Sequence, residues 1–353
     1  PKTAACKSEE EVPLRGVPPP AIDRVVEALA CVAQGERSFV IEGKDFLRVD
    51  TMRVPSVTVG DKEFEVDSME CAAPLPAGAG MVELCTSITI TVMPEDLEPG
   101  LYAVSVVNPD NPNYPDNGDP AGCNSMLPDA LRIVPPPSIA DVLPSYVCLQ
   151  DGGREVTVHG EDFLVINGEN PTVEVDGTAL SGGAVAVEDC NAAGLDVGPW
   201  TVERCTSLVL SLAQDDTADV RNPVIKVTNA QPAGCFDEAM DLWTVLPRPT
   251  LASVAPQPIC NEQGDDVLTF TGTGFLDFDG AVPSVTVDGV AATSVAITDT
   301  SCDAISGRED GLLCTELIVT LAAGSIGAGL HDVVVVNSDP AGCTSEDMVT
   351  LAV

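Results

Sequence analysis

The stretch Val156-Thr157-Val158-His159-Gly160-Glu161-Asp162-Phe163-Leu164 constrains this chain more than any other. Side chains alternate with period two in an extended segment, so Val156 and Val158 share one face and Thr157 and His159 the other. Gly160 supplies the positive φ that a tight exit from a strand requires, and Phe163 then returns to the apolar face. The stretch reads as a strand, a sharp turn and a buried aromatic. It occurs three times: Phe39–Leu47 stands 117 residues before it and Leu268–Leu276 stands 112 residues after it. A pattern recurring at this period means one domain type used repeatedly.

The repeat divides the 353 residues into segments 18–134, 135–247 and 248–353, each long enough to bury one core. Residues 1–17 precede them. Leu14-Arg15-Gly16-Val17-Pro18-Pro19-Pro20 follows Cys6 at the distance at which Leu131-Arg132-Ile133-Val134-Pro135-Pro136-Pro137 follows Cys123. Residues 1–17 therefore read as the last strand of a truncated or neighbouring repeat. Repeat two predicts seven short strands: Ser138–Leu143, Glu155–His159, Thr172–Val175, Ala184–Glu188, Ser207–Leu212, Val224–Thr228 and Leu242–Leu246. The third is closed by Asp176-Gly177, a strong turn dipeptide. In repeat one, Asp23–Ala33 is expected to be a single first strand. Short strands separated by Gly, Pro, Asn and Asp predict an all-β chain of three tandem immunoglobulin-like sandwiches arranged end to end. Val158, Phe163, Val175 and Leu210 are expected in the core of repeat two. Proline runs at 18–20, 135–137 and 247–249 favour extended, semi-rigid junctions.

The cysteines keep phase with the repeat. Cys31, Cys71, Cys85 and Cys123 belong to repeat one; Cys148, Cys190, Cys205 and Cys235 to repeat two; Cys260, Cys302, Cys314 and Cys343 to repeat three. The second and third of each set bracket one loop, which pairs Cys71 with Cys85, Cys190 with Cys205 and Cys302 with Cys314. The first and fourth leave two schemes open. They pair within a repeat if the first strand crosses to run beside the last. Otherwise the first Cys of one repeat meets the fourth of the next, giving Cys31–Cys235 and Cys148–Cys343. Under the second scheme Cys260, Cys123 and Cys6 look outside the chain for partners, as staples along a fibre. Thirteen Cys without a C-x-x-C, and with only two His, argue for an oxidising, extracytoplasmic location rather than zinc or thioredoxin chemistry.

Sixteen Lys and Arg stand against 55 Asp and Glu, a formal net charge of −39. Such a field repels phosphate backbones and anionic lipid, which excludes nucleic acid and the membrane surface as partners. No stretch of about 18 apolar residues is present to span a membrane. Carboxylate-rich loops suit Ca²⁺, and Asp277 and Asp279 in Asp277-Phe278-Asp279-Gly280 are the candidate ligands, without the later bidentate acid of a full calcium loop. Asp110, Asn111, Asn113, Asp116, Asn117 and Asp119 crowd a solvated loop before Cys123. His159 and His331 occupy non-equivalent places, and no nucleophile has a base in motif context. Trp200, between Cys190 and Cys205, is the candidate for stacking on a surface glycan. Trp243, in the last strand, is expected to pack in a core or an interface.

The order of these features resembles the IPT/TIG family of immunoglobulin-like domains. The resemblance rests on Pro137-Ser138-Ile139-Ala140-Asp141-Val142-Leu143-Pro144, Gly152-Gly153, Val156–Phe163, Val173-Glu174-Val175-Asp176-Gly177 and Val227-Thr228-Asn229. Repeat three matches through Pro249–Pro256, Thr271–Phe275, Val285–Gly289 and Val335-Val336-Asn337, while repeat one lacks the Gly-Gly and has Gly60-Asp61 for Asp-Gly. The regular cysteines are not part of the family pattern. The resemblance implies an early-set sandwich of the kind used in cell-surface receptors, adhesins and accessory modules of carbohydrate enzymes. The expectation is a non-enzymatic, extracellular, disulfide-stapled stalk or filament that associates end to end. The alternatives are a carbohydrate-binding accessory region of a secreted enzyme and a calcium-dependent adhesion array.

Overall fold

The computed structural model describes residues 18–77, 80–109, 123–192, 194–215, 219–260, 262, 264–345 and 349–353. The N-terminal segment with Cys6, and the acidic loop 110–122, lie outside the described residues. Among the described residues the chain is all-β, with two 3₁₀ turns, Gly182–Ala184 and Asp299–Ser301, as the only helical elements. Each repeat contributes a sheet built on two long antiparallel strands: Arg37–Val49 with Gly80–Val92, Arg154–Ile166 with Val202–Leu212, and Asp266–Phe278 with Gly311–Leu321. A facing sheet carries the remaining strands, in repeat two Thr178–Ala179, Thr172–Val175, Ile225–Thr228 and Phe236–Ala239 in that order. The apolar residues of each pair of sheets form one core cluster.

Gly160 does not end a strand. Arg154–Ile166 runs through it without a break, and the ladder to Val202–Leu212 shifts register between His159 and Phe163. That bulge changes which parity of residue faces inward, so Val156, Val158 and Phe163 are all buried. The positive φ falls two residues later, at Asp162, and at Asp45 and Gly274 in the sister repeats. Gly160 is needed for space: a Cβ there would overlap the Ser138 carbonyl oxygen and the Phe163 ring, and Gly43 and Gly272 meet the same obstruction. The bulge leaves backbone groups without ladder partners. One buried Asn per repeat takes them up. Asn229 Oδ1 accepts from Leu164 N at 2.8 Å, and its Nδ2 donates to Asp162 O at 2.9 Å. Asn108 and Asn337 do the same for Leu47 and Asp45, and for Leu276 and Gly274.

The first strand of a repeat splits in two. In repeat one Ala21–Val26 pairs antiparallel with Arg37–Val49, while Leu29–Ala30 crosses over and pairs parallel with the last strand at Arg132–Ile133. Glu27, at φ 54°, sits at the switch. In repeat two the pieces are Ser138–Leu143 and Tyr146–Cys148, the latter parallel to Thr244–Leu246. The single strand expected at Asp23–Ala33 is thus divided into Ala21–Val26 and Leu29–Ala30, and the one expected at Leu242–Leu246 is confined to Thr244–Leu246, with a separate strand, Phe236–Ala239, before it. Trp243 is buried between these two pieces rather than inside a strand. Val175 is half-buried at the margin of the core, beside the Asp176-Gly177 turn, where both residues take positive φ.

Candidate functional site

The features that stand out from the sandwiches themselves are the two junctions between consecutive repeats. The split first strand dictates their chemistry. Because Tyr146–Cys148 runs parallel to Thr244–Leu246, Cys148 ends beside Leu246, whereas Cys235 stands just before Phe236–Ala239, eleven residues back along the chain. Those eleven residues of chain span up to about 35 Å when extended, against the roughly 7 Å that a disulfide bridges. The crossing therefore carries the first Cys away from the fourth Cys of its own repeat and toward the next repeat. The structure pairs Cys31 with Cys235 and Cys148 with Cys343, with Cα atoms 5.8 and 5.4 Å apart. Cys71–Cys85, Cys190–Cys205 and Cys302–Cys314 close the local loops, with Cα separations of 3.8, 3.9 and 4.0 Å. In repeats one and three these partners are directly opposed in the ladder. Cys123 and Cys260 are exposed and free among the described residues.

Each staple sits in a built interface with common parts. The fourth Cys follows an Ala that is fully or nearly fully buried, Ala233 or Ala341, which docks in the neighbour's apolar cluster. The residue three after the first Cys reaches the backbone N–H just after the fourth. Gln34 Oε1 accepts from Phe236 N at 2.8 Å, and Asp151 Oδ2 accepts from Thr344 N at 2.8 Å. An Arg six residues after the first Cys holds that Cys carbonyl at 3.3 Å, through Arg37 Nε and Arg154 Nε. No local sequence signal marks these contacts, because each joins residues of two different repeats or holds the carbonyl of a staple Cys.

The rest of each junction differs. Between repeats one and two, Leu164, Ile166, Val197 and Val202 merge into the core of repeat one. Between repeats two and three, Tyr146 packs edge-on against Phe278 with ring centroids 5.2 Å apart, and the Arg308 guanidinium lies 4.8 Å from the Tyr146 ring centroid. Tyr146 donates to Asp310 Oδ1 at 2.7 Å, and Arg308 donates to Asp310 and to the Leu242 carbonyl. Burial, reinforced by the bond to Asp310, pushes the Tyr146 phenol up to about 12. Burial opposes ionisation of Asp310, but the bonds from Arg308 and Tyr146 outweigh it and hold its carboxyl below the usual range.

The other sequence candidates have local partners. Asp277 Oδ1 accepts from Gly280 N at 2.9 Å and Asp279 takes φ 49°, which makes Asp277–Gly280 a tight turn. Among the described residues no three His, Cys, Asp or Glu gather as a metal-binding group. His159 pairs with Asp141 and His331 with Asp288, each at 2.7 Å, and the latter bond holds the His331 imidazole above its ordinary value. Trp200 is half-buried. It packs on the first core cluster and lines a groove of about 570 Å³ with Asp23, Arg24, Leu127, Asp129 and Gly198.

No protein-family model matches the chain, and no curated protein matches it. Among solved structures it is similar to the SGBP-B protein of the Bacteroides ovatus mixed-linkage glucan utilization locus, solved with a mixed-linkage heptasaccharide. The identity is 11% and the TM-score 0.18, covering 98% of this chain and 68% of that one. It is also similar to dimeric latent PorU from Porphyromonas gingivalis, at 12% identity and TM-score 0.20, covering 94% of this chain and 32% of that one. Both likenesses are too distant to carry function across. Five disulfides mark this as a protein of an oxidising, extracytoplasmic compartment.

Proposed function

We propose that this chain is a non-enzymatic structural array, a stiff stalk or filament segment of IPT/TIG-like sandwiches that holds whatever it carries away from a surface. The observation that supports this reading is the covalent closure of both junctions, Cys31–Cys235 and Cys148–Cys343. Domains joined only by a linker move relative to one another unless their interface is large and apolar. Here each junction adds a disulfide, a docked Ala and at least one side-chain to backbone hydrogen bond to the linker. That combination resists bending and extension, and it serves no evident catalytic end. The acidic surface keeps such an elongated chain soluble and discourages lateral aggregation. Small-angle scattering and electron microscopy of the purified chain test the reading. The expected result is a rod of fixed length that shortens or bends when both junction disulfides are replaced by Ser. A compact particle, or a flexible one with the disulfides intact, overturns it.

A further inference from the structure

At both junctions the following repeat reaches back with the same part, the loop between its second and third Cys. Cys190–Cys205 closes that loop in repeat two and Cys302–Cys314 in repeat three. From the first loop, Gly194 O accepts from Arg132 of repeat one at 3.0 Å, and Leu195, Val197, Trp200 and Val202 pack in or against the core cluster of repeat one. From the second, Ser306 O accepts from Asn222 of repeat two at 2.7 Å, and Arg308 donates to the Leu242 carbonyl at 3.0 Å. Ile305 joins one cluster with Tyr146 and Leu246. The local disulfides therefore close the loops with which one repeat touches the repeat before it.

Within these contacts one side chain grows where its partner shrinks. Val202 and Gly311 each stand three residues before the third Cys, and each is opposed in the ladder to the residue that ends the long strand, Ile166 or Phe278. At the first junction Leu29, Ile166 and Val202 share one buried apolar cluster. At the second, Tyr146 takes the place of Leu29, packs edge-on against Phe278, and lies over Gly311. A Cβ on Gly311 would stand 2.8 Å from Tyr146 Cζ and would overlap the hydroxyl. Gly311 is not among the residues at positive φ, so space and not backbone conformation calls for glycine. The hydroxyl admitted by that space reaches Asp310 Oδ1, on the residue just before.

We propose that this size match, Leu29 with Val202 and Tyr146 with Gly311, determines which repeat docks on which, and through that choice which junction cysteines pair. Tyr146 set against Val202 drives its ring into the valine side chain and finds Thr201 in place of the Asp310 carboxylate. Leu29 set against Gly311 leaves a void beside Phe278. These two mismatches are the contacts that wrong pairings would make. Cys31–Cys343 would dock repeat three on repeat one, with Leu29 facing Gly311. Cys148 bonded to Cys235 of a second copy would dock repeat two on another repeat two, with Tyr146 facing Val202. Thiol–disulfide exchange itself does not distinguish these partners, and a contact that penalises the wrong one supplies the difference. The inference goes beyond the array reading and rests on the geometry of the junctions alone.

The test is oxidative refolding of the full chain in a glutathione redox buffer, with Cys6, Cys123 and Cys260 replaced by Ser, read by non-reducing peptide mapping. This parent should give Cys31–Cys235 and Cys148–Cys343. Gly311→Val should lower the yield of Cys148–Cys343 roughly tenfold. Adding Tyr146→Leu to Gly311→Val should restore that yield to within about twofold of the parent, because the second change removes the overlap that the first creates. Leu29→Tyr should lower Cys31–Cys235 in the same way, and Leu29→Tyr with Val202→Gly should restore it. Cys302–Cys314, mapped in the same digests, shows whether the loop of repeat three still folds. Parent pairing other than this, or normal pairing in Gly311→Val, overturns the proposal. So does a loss that Tyr146→Leu fails to repair, since Gly311 would then serve repeat three alone. Microscopy of the parent judges the rod separately, so a rigid rod whose variants pair normally defeats this proposal and leaves the array reading standing.

Discussion

The two junctions share a staple and differ in nearly everything around it. Where repeat two presents Leu164, Ile166, Val197 and Val202 to the core of repeat one, repeat three presents Phe278, Ile305, Arg308 and Asp310 to Tyr146. The position two before the first Cys is Leu29 in one and Tyr146 in the other, and both are fully buried. The constant parts are the disulfide, the docked Ala, the side chain three after the first Cys and the Arg six after it. What the difference teaches is that the covalent bond fixes the geometry of approach. The surrounding contacts are apolar at the first junction and partly polar at the second, around the same staple.

The sharpest way to separate the two is to remove each staple in turn. Each closes a loop of about 200 residues, which the chain-entropy model values at about 5 kcal/mol, less whatever order the folded repeats impose on the unstapled chain. The C31S/C235S variant keeps a shared apolar core, in which each fully buried Leu, Ile or Val contributes about 1.5–3 kcal/mol. The C148S/C343S variant keeps a smaller cluster and a polar network. Limited proteolysis should therefore cut the second junction of C148S/C343S sooner than the first junction of C31S/C235S. Equal sensitivity would mean that the disulfide alone sets the strength of both.

Next in size is the core itself. Phe163→Ala removes a fully buried ring one residue from the junction residue Leu164 and should cost roughly 3–5 kcal/mol by denaturant unfolding. A loss below about 1 kcal/mol would mean the ring is not part of the core. A smaller effect distinguishes the junctions by pH. The Tyr146 phenol is raised in the folded state to about 12, so its stabilisation is fully present below the unfolded value near 10. It is lost as pH rises from about 10 to 12, because the unfolded chain ionises first. Two units correspond to at most about 2–3 kcal/mol. Tyr146→Phe should flatten the alkaline loss, whereas the first junction, with Leu29 in that place, should show none.

Much of this architecture is legible in the chain, and the exceptions have physical causes. The strands, the Asp176-Gly177 turn and the core positions Val158, Phe163 and Leu210 follow from period two and turn chemistry. From sequence alone Gly160 reads as a turn, because glycine permits positive φ. Its actual task, admitting the Ser138 carbonyl, depends on a strand paired across the sheet that no local pattern encodes. The strand switch at Glu27 is equally silent, since an apolar run suits either sheet. Cysteine phase alone left two pairing schemes for the first and fourth Cys. The parallel pairing of Tyr146–Cys148 with Thr244–Leu246 separates them, because it sets which end of the last strand the first Cys reaches.

The smallest expected difference concerns the contact that the residue three after the first Cys makes across each junction. Asp151 is largely shielded, accepts from Thr344 N, and is also paired with Arg248 at 2.6 Å. Gln34 is exposed and joins Phe236 through neutral groups only. Hydrogen bonds to a charged group contribute about 1.5–3 kcal/mol and neutral ones about 0.5–1.5. Asp151→Ala should therefore open its junction more often than Gln34→Ala opens the other. Reduction of a shielded disulfide requires local opening, so the rate at which dithiothreitol reduces each staple reads that opening directly. Reduction of Cys148–Cys343 should accelerate in Asp151→Ala by roughly tenfold, the factor for about 1.4 kcal/mol. Reduction of Cys31–Cys235 in Gln34→Ala should accelerate only a few-fold. If both variants accelerate equally, the charge on Asp151 adds nothing, and the two junctions share a common energetic unit as well as a common geometry.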